Sequence, residues 1–159
     1  MSGFIYMEPD YIIKWGSKMQ VCVVYGGKTS DATKLKAIAD AISNGLESQG
    51  NIKADVFNMA VDTDKRLTIY DYMVVVSEPI SFFSGKVPAF ISKYLENAGT
   101  VSGKRAACVI SGGARSSKAL LNLMKITEGQ GIILKTSEVV KNADEAKAFG
   151  SHLNVERNF

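Results

Sequence analysis

Cysteine is scarce in this chain: Cys22 and Cys108 are the only two in 159 residues, and no CxxC spacing exists. Two lone cysteines are poor candidates for a disulfide framework or a thiolate metal centre. Each sits inside an apolar run that reads as a strand, so buried free thiols and a reducing, cytoplasmic setting are expected. Histidine is scarcer still. His152 stands alone near the end of the chain and reads as a surface residue. With no Ser/His/Asp arrangement and no cluster of metal ligands, neither a catalytic residue nor a metal site is expected. No apolar run approaches the roughly 20 residues of a membrane-spanning helix. The beginning has neither an early basic region nor a long apolar one, so no signal peptide and no membrane association are expected. Charge of one sign is lacking as well. The net charge is +3, and the basic residues are scattered without interleaved aromatics. Nucleic-acid binding gains no support from that distribution.

What is present is a core. Apolar residues make up 46% of the chain and mean hydropathy is +0.03, as in a globular domain. The length suits one domain. Residues 1–18 are aromatic-rich, contain Pro9 and show no sustained period. They read either as an extension upstream of Met19 or as an arm whose Tyr11, Ile12, Ile13 and Trp15 pack on the body or on a partner. A domain of alternating elements covers 19–159.

The alternation is regular. Val21–Tyr25 reads as a strand, and Ala32 to Glu47 as a helix with Leu35, Ile38, Ala39, Ile42 and Leu46 on one face. Ser30 or Asp31 suits its N-cap and Gly50 its end. Ala54–Phe57 is a short strand, and 62–71 a short helix or turn with Leu67 and Ile69 as its apolar points. Tyr72–Ser77 is apolar throughout and reads as a central strand. After a loop over 78–87, Pro88 opens a helix that runs to Leu95 and buries Phe90, Ile91, Tyr94 and Leu95. Lys104–Ile110 is a fourth strand. A helix over Ser116–Glu128 turns Leu120, Leu121 and Met124 inward. Gly131–Val140 holds a fifth strand, and Asp144 to Leu153 a closing helix weakened by Gly150. Five strands alternating with helices predict an α/β, doubly wound parallel sheet of order 2-1-3-4-5. Ligands of such sheets sit beyond the carboxyl ends of the strands, at the switch point between strands 1 and 3.

Three loops lie at those ends: 26–31, 77–87 and 111–116. The first, Gly26-Gly27-Lys28-Thr29-Ser30, joins a buried strand to a helix N-terminus, where free N–H groups and the helix dipole favour an anion. Gly27-Lys28-Thr29 imitates the end of a Walker A motif. The required upstream glycine is Cys22, however, and the loop is too short to wrap a triphosphate. A G-x-G-x-x-G fingerprint is absent. Tyr25 and Ser77 end strands 1 and 3 without an acidic pair, which argues against a response-regulator receiver.

From Met19 to Leu153 the chain resembles the flavodoxin family. The family's Ser/Thr-x-Thr-Gly-x-Thr loop finds its nearest match in Lys28-Thr29-Ser30-Asp31-Ala32-Thr33, with Asp31 in place of the glycine. The segment Leu67 to Gly85 resembles the family's "tyr-asp, apolar strand, gly-ser-pro, phe-gly" stretch through Asp71, Pro79, Phe83 and Gly85. Ser111-Gly112-Gly113-Ala114-Arg115 matches its small-residue loop after strand 4. The resemblance implies a non-covalently bound FMN and an electron-carrier function, exchanging electrons with a redox partner protein, with a homodimer as a further option. It implies phosphate contacts from Lys28, Thr29, Ser30, Ala32 and Thr33. Ring contacts would come from Pro79, Ile80, Ser81, Phe82 and Phe83 on one side and from Ser111, Gly112 and Gly113 on the other. Arg115 reads as a solvated helix-start residue and Glu78 as a turn cap. The negative charge of Asp31 falls where phosphate would lie, so Asp31→Gly is expected to tighten FMN binding. Two alternatives stand beside this reading. One is a flavin-free fold used as a binding or regulatory module; the other is a small NAD(P)H-dependent FMN or quinone reductase.

Overall fold

The computed structural model describes residues 18–81 and 83–155. The expectations for residues 1–17 and for Phe82 lie outside the described residues. Five strands form one parallel sheet: β1 (Met19–Gly26), β2 (Ile52–Asn58), β3 (Tyr72–Ser77), β4 (Arg105–Ser111) and β5 (Ile133–Val140). Their order is β2-β1-β3-β4-β5. Four helices connect or follow them: α1 (Thr33–Glu47), α2 (Phe90–Glu96), α3 (Ser117–Glu128) and α4 (Ala143–His152).

Strand alternation assigns the side chains to two cores. Val21, Val23, Tyr25, Val74 and Val76 face α1 and α4. Cys22, Val24, Met73, Val75 and Cys108 face α2 and α3. A strand covered on both faces has no polar side, which is why β1 and β3 read as unbroken apolar runs. All six residues of β3 are buried. β2 and β5 are the edge strands; β5 has exposed and half-buried positions along most of its length, and a register irregularity falls where it passes Ala106 and Ala107 of β4.

Helices α1 and α4 cross at two glycines. A Cβ on Gly45 would strike the carbonyl of Lys147 and lie 2.7 Å from the backbone nitrogen of Ser151. A Cβ on Gly150 would strike the carbonyl of Ile42 and lie 3.0 Å from the nitrogen of Leu46. Gly150 therefore buries backbone against backbone, and its poor helix propensity is the cost of that approach. The Gln49 amide ties the same ends together by donating to the carbonyls of Gly150 and Leu153 at 2.8 and 3.0 Å.

Several local expectations need correction. In α3 Leu120 and Met124 pack against the core as expected, both half-buried, but Leu121 is 51% exposed, and the fully buried residues are Ala119, Leu123 and Thr127. Thr127 hides its polarity by donating its hydroxyl to the Leu123 carbonyl of its own helix, at 2.9 Å. The β2–β3 connection takes the turn alternative, with Leu67 buried as an apolar point, but Ile69 is 75% exposed. Helix α2 begins at Phe90, which is half-buried, so Pro88 precedes the helix instead of opening it. Neither Ser30 nor Asp31 caps α1. Ala32 occupies the cap position in the left-handed region, at φ 43 and ψ 48, with no side-chain cap bond.

Candidate functional site

β1 pairs with β2 on one side and β3 on the other, so the switch point opens above Gly26 and Ser77. These two residues are linked directly: the Ser77 hydroxyl donates to the Gly26 carbonyl at 2.7 Å. The loops that follow β1, β3 and β4 meet there around a pocket of 460 Å³. Of the sequence-predicted residues, Lys28, Pro79, Ser81, Ser111, Gly112 and Gly113 line it. Thr29, Ser30 and Ala32 of the adjoining loop and Thr33, the first residue of α1, do not line the cavity. Ile80 and Phe83 are exposed at 40% and 78%.

Each loop is held by named bonds. In the third, the Gly112 N–H donates to the Val140 carbonyl at 3.0 Å and the Ser116 N–H to the Gly113 carbonyl at 3.1 Å. A Cβ on Gly112 would strike the Ser116 hydroxyl, so a larger residue here requires that side chain to turn away. In the second, the Ile80 N–H donates to the Lys86 carbonyl at 2.8 Å, and Ser81 and Ser84 share a hydroxyl–hydroxyl bond. The Asn122 amide of α3 donates to the Gly85 carbonyl at 2.7 Å, anchoring that loop from the far side. The first loop is tied to β2 by the Asn58 amide, which donates to the Ser30 carbonyl at 2.8 Å.

The electrostatics are mixed. Lys28, Lys34 and Arg115 line the pocket, with Glu78 as its carboxylate. Three cations against one anion favour an anionic ligand. Arg115 also lies over the Phe83 ring, its guanidinium carbon 5.7 Å from the centroid, a cation–π arrangement. Glu78 does not cap a local turn. Its carboxylate accepts the Lys28 N–H at 2.9 Å, from a strand end 50 residues away. Asp31 turns back into its own loop, where the Thr29 hydroxyl donates to it at 2.7 Å. That bond, with further hydrogen bonds from the Ala32 backbone and the Thr33 hydroxyl, holds the Asp31 carboxyl below its ordinary value of 3.8. Thr29 in turn accepts the Ala32 N–H at 3.2 Å. Ala32 is the one non-glycine residue with positive φ among the described residues. Such a conformation costs on the order of 1–3 kcal/mol and clusters at ligand clamps.

Sequence reasoning passed over Lys34 and Ser116 and set aside Glu78 and Arg115. Lys34 was recoverable from the helical pattern, which brings the first turn of α1 to the loop. Glu78 was not, because its partner is a backbone N–H in another loop. A larger groove of 610 Å³ lies between β5 and α4, lined in part by Lys135, Glu138, Glu145 and His152. It contains none of the three loops and lies away from the switch point. Among the described residues no group of three or more His, Cys, Asp or Glu is placed to hold a metal ion, and no helix is long and apolar enough to cross a membrane.

No protein-family model matches the sequence, and no curated protein matches it. Solved structures do. A flavodoxin from the domain Archaea superposes with a TM-score of 0.60 at 23% identity, over 84% of this chain and 94% of that one. The flavodoxin of Streptococcus pneumoniae TIGR4 gives 0.61 at 19% identity, over 84% and 97%. The flavodiiron protein of Giardia intestinalis gives 0.55 at 14% identity, over 87% of this chain but only 36% of that longer one. Strand order, parallel pairing and the coverage of more than nine-tenths of both flavodoxins agree: the chain has the flavodoxin-like fold.

Proposed function

We propose that the pocket at the switch point binds FMN non-covalently and that the protein carries electrons to and from a redox partner protein. The observation that carries this reading is the convergence of the three loops on one cavity bearing Lys28, Lys34 and Arg115. Ring contacts are assigned to Pro79, Ile80, Ser81 and Phe83 on one side, with Phe82 assigned by sequence alone, and to Ser111, Gly112 and Gly113 on the other; of these, Pro79, Ser81, Ser111, Gly112 and Gly113 line the cavity. Glycines there let a flat ligand approach the backbone. When bound, the flavin supplies the redox chemistry; the protein's contribution is binding, orientation and the charge placed near the ring. At the loop end, Thr29, Ser30, Ala32 and Thr33 surround the helix N-terminus, with Lys28 and Lys34 as the cations that would meet a phosphate. Two carboxylates oppose a phosphate there, Glu78 on the Lys28 N–H and Asp31 on the Thr29 hydroxyl. The two buried thiols fit a reducing compartment, so the reading places the protein in the cytoplasm.

Those carboxylates favour a second reading, a flavin-free module that binds a small molecule or a protein through the same loops. A visible absorption spectrum of the purified protein, followed by fluorescence titration with FMN, separates the two. A flavin spectrum or saturable quenching at sub-micromolar FMN supports the electron carrier. A colourless protein that quenches no flavin supports the module. Steady-state NAD(P)H oxidation with added quinone tests a reductase.

A further inference from the structure

We propose that Glu78 sets the ligand specificity of this pocket: its carboxylate takes the loop N–H that a ligand's phosphate would take, so a phosphorylated flavin enters only by displacing it. The inference rests on the flavin reading above and concerns which flavins the site prefers.

Two contacts of one carboxylate oxygen define that position. The Lys28 N–H donates to Glu78 Oε2 at 2.9 Å. A Cβ built on Gly27 would lie 2.5 Å from the same oxygen, so the carboxylate lies directly against the loop backbone. Glu78 also lines the pocket together with Lys28, Lys34 and Arg115. An anion is thus already present inside a cation-lined cradle, supplied by the chain itself. Asp31 deepens the effect by claiming the Thr29 hydroxyl.

The consequence differs between flavins. A phosphate near Lys28 meets the Glu78 charge at close range and must break its hydrogen bond first. A flavin that ends in neutral ribityl hydroxyls meets no such repulsion, because hydroxyls donate to a carboxylate and leave Glu78 in place. Glu78 therefore compresses the preference for FMN over riboflavin.

The test measures dissociation constants for FMN and for riboflavin by fluorescence quenching at one fixed salt concentration. Wild type, Glu78→Gln and Glu78→Ala are compared, and a thermal melt of each verifies folding. Removing a unit charge at hydrogen-bond range in a solvent-facing pocket tightens FMN by about tenfold, while riboflavin affinity moves far less or weakens. The alanine variant gives a second reading should the glutamine leave its amide hydrogen-bonded to the loop. An FMN-to-riboflavin ratio that stays constant across the three proteins overturns the proposal and leaves the flavin reading standing. Quenching of neither flavin by any of the three proteins overturns both.

Discussion

Replacing Gly150 by alanine sets two well-measured effects against each other. Alanine is favoured over glycine in a helix interior by about 1 kcal/mol, so propensity alone predicts stabilisation. The crossing of α1 and α4 predicts the reverse. The new Cβ strikes the Ile42 carbonyl and lies 3.0 Å from Leu46 N and 3.1 Å from the Ile42 carbonyl carbon. All are backbone atoms inside a helix, so no side chain can rotate away, and α4 must lift off α1. Lifting loosens Ile42, Leu46, Phe149 and Leu153, which share one core with the sheet. Overpacking of this kind costs typically 1–3 kcal/mol, and rigid backbone partners place it in the upper half of that range. The net expectation is a loss of about 1–2 kcal/mol after the propensity gain is subtracted. Urea denaturation followed by far-UV circular dichroism measures it. With a slope of about 2 kcal/mol per molar urea, the middle of the usual range, the midpoint falls by about 0.5–1 M at unchanged slope. Ala148→Gly, at an exposed position of the same helix, is the control and loses about 1 kcal/mol by propensity alone. Gly45→Ala behaves like Gly150→Ala, and the double variant loses less than the sum, because one separation of the helices relieves both clashes. If Gly150→Ala raises the midpoint, the close-approach reasoning is refuted.

Three further outcomes follow from the geometry. Ser77→Ala removes the hydroxyl that donates to the buried Gly26 carbonyl and lowers unfolding free energy by about 1 kcal/mol; an unchanged urea midpoint contradicts the bond. The Cys22 and Cys108 thiols are both buried, and desolvation pushes Cys108 up to about 12 and Cys22 upward as well. Their reaction with a thiol reagent at neutral pH therefore tracks global unfolding, and rapid labelling of the native protein would contradict this burial. Asp31, held below 3.8 by its hydrogen bonds, titrates in an NMR pH series below its unfolded value. A depressed carboxyl stabilises the folded loop above the unfolded pKa, and that contribution is lost as pH falls through the folded one. Asp31→Asn removes this acid-side dependence, and an Asp31 midpoint at or above 3.8 would show that the Thr29 bond does not form in solution.

The sheet was legible because its signal is local. Val21–Tyr25 and Tyr72–Val76 are apolar at every position, a pattern that a strand covered on both faces produces and an amphipathic helix does not. The buried face of α1 was equally plain in Leu35, Ile38, Ile42 and Leu46. In α3 the pattern found Leu120 and Met124, which pack against the core, but turned Leu121 inward and passed over Ala119 and Thr127, whose hydropathy is lower. Small Ala119 and self-satisfied Thr127 fit where the helix meets the sheet, and Leu121 is left outside. Three loops at the strand ends could be found from topology and composition, and six of the site residues they supplied line the pocket. The role of Glu78 could not, since its partner N–H lies 50 residues away. Ala32 in the left-handed region was equally hidden, because alanine carries no sequence signature for positive φ.

The order in which the chain is made bears on its assembly. β1, β2 and β3 appear first and form a three-stranded block around β1, to which β4 and β5 add outward in sequence. The face of α1 closes last. Its partner α4 is the final helix of the described residues, and the Gly45–Gly150 crossing joins segments about a hundred positions apart. A nascent chain thus carries Ile38, Ile42 and Leu46 incompletely covered until synthesis has passed Leu153. During that interval the apolar stripe of α1 is the surface that a chaperone would shield or a neighbouring chain would capture.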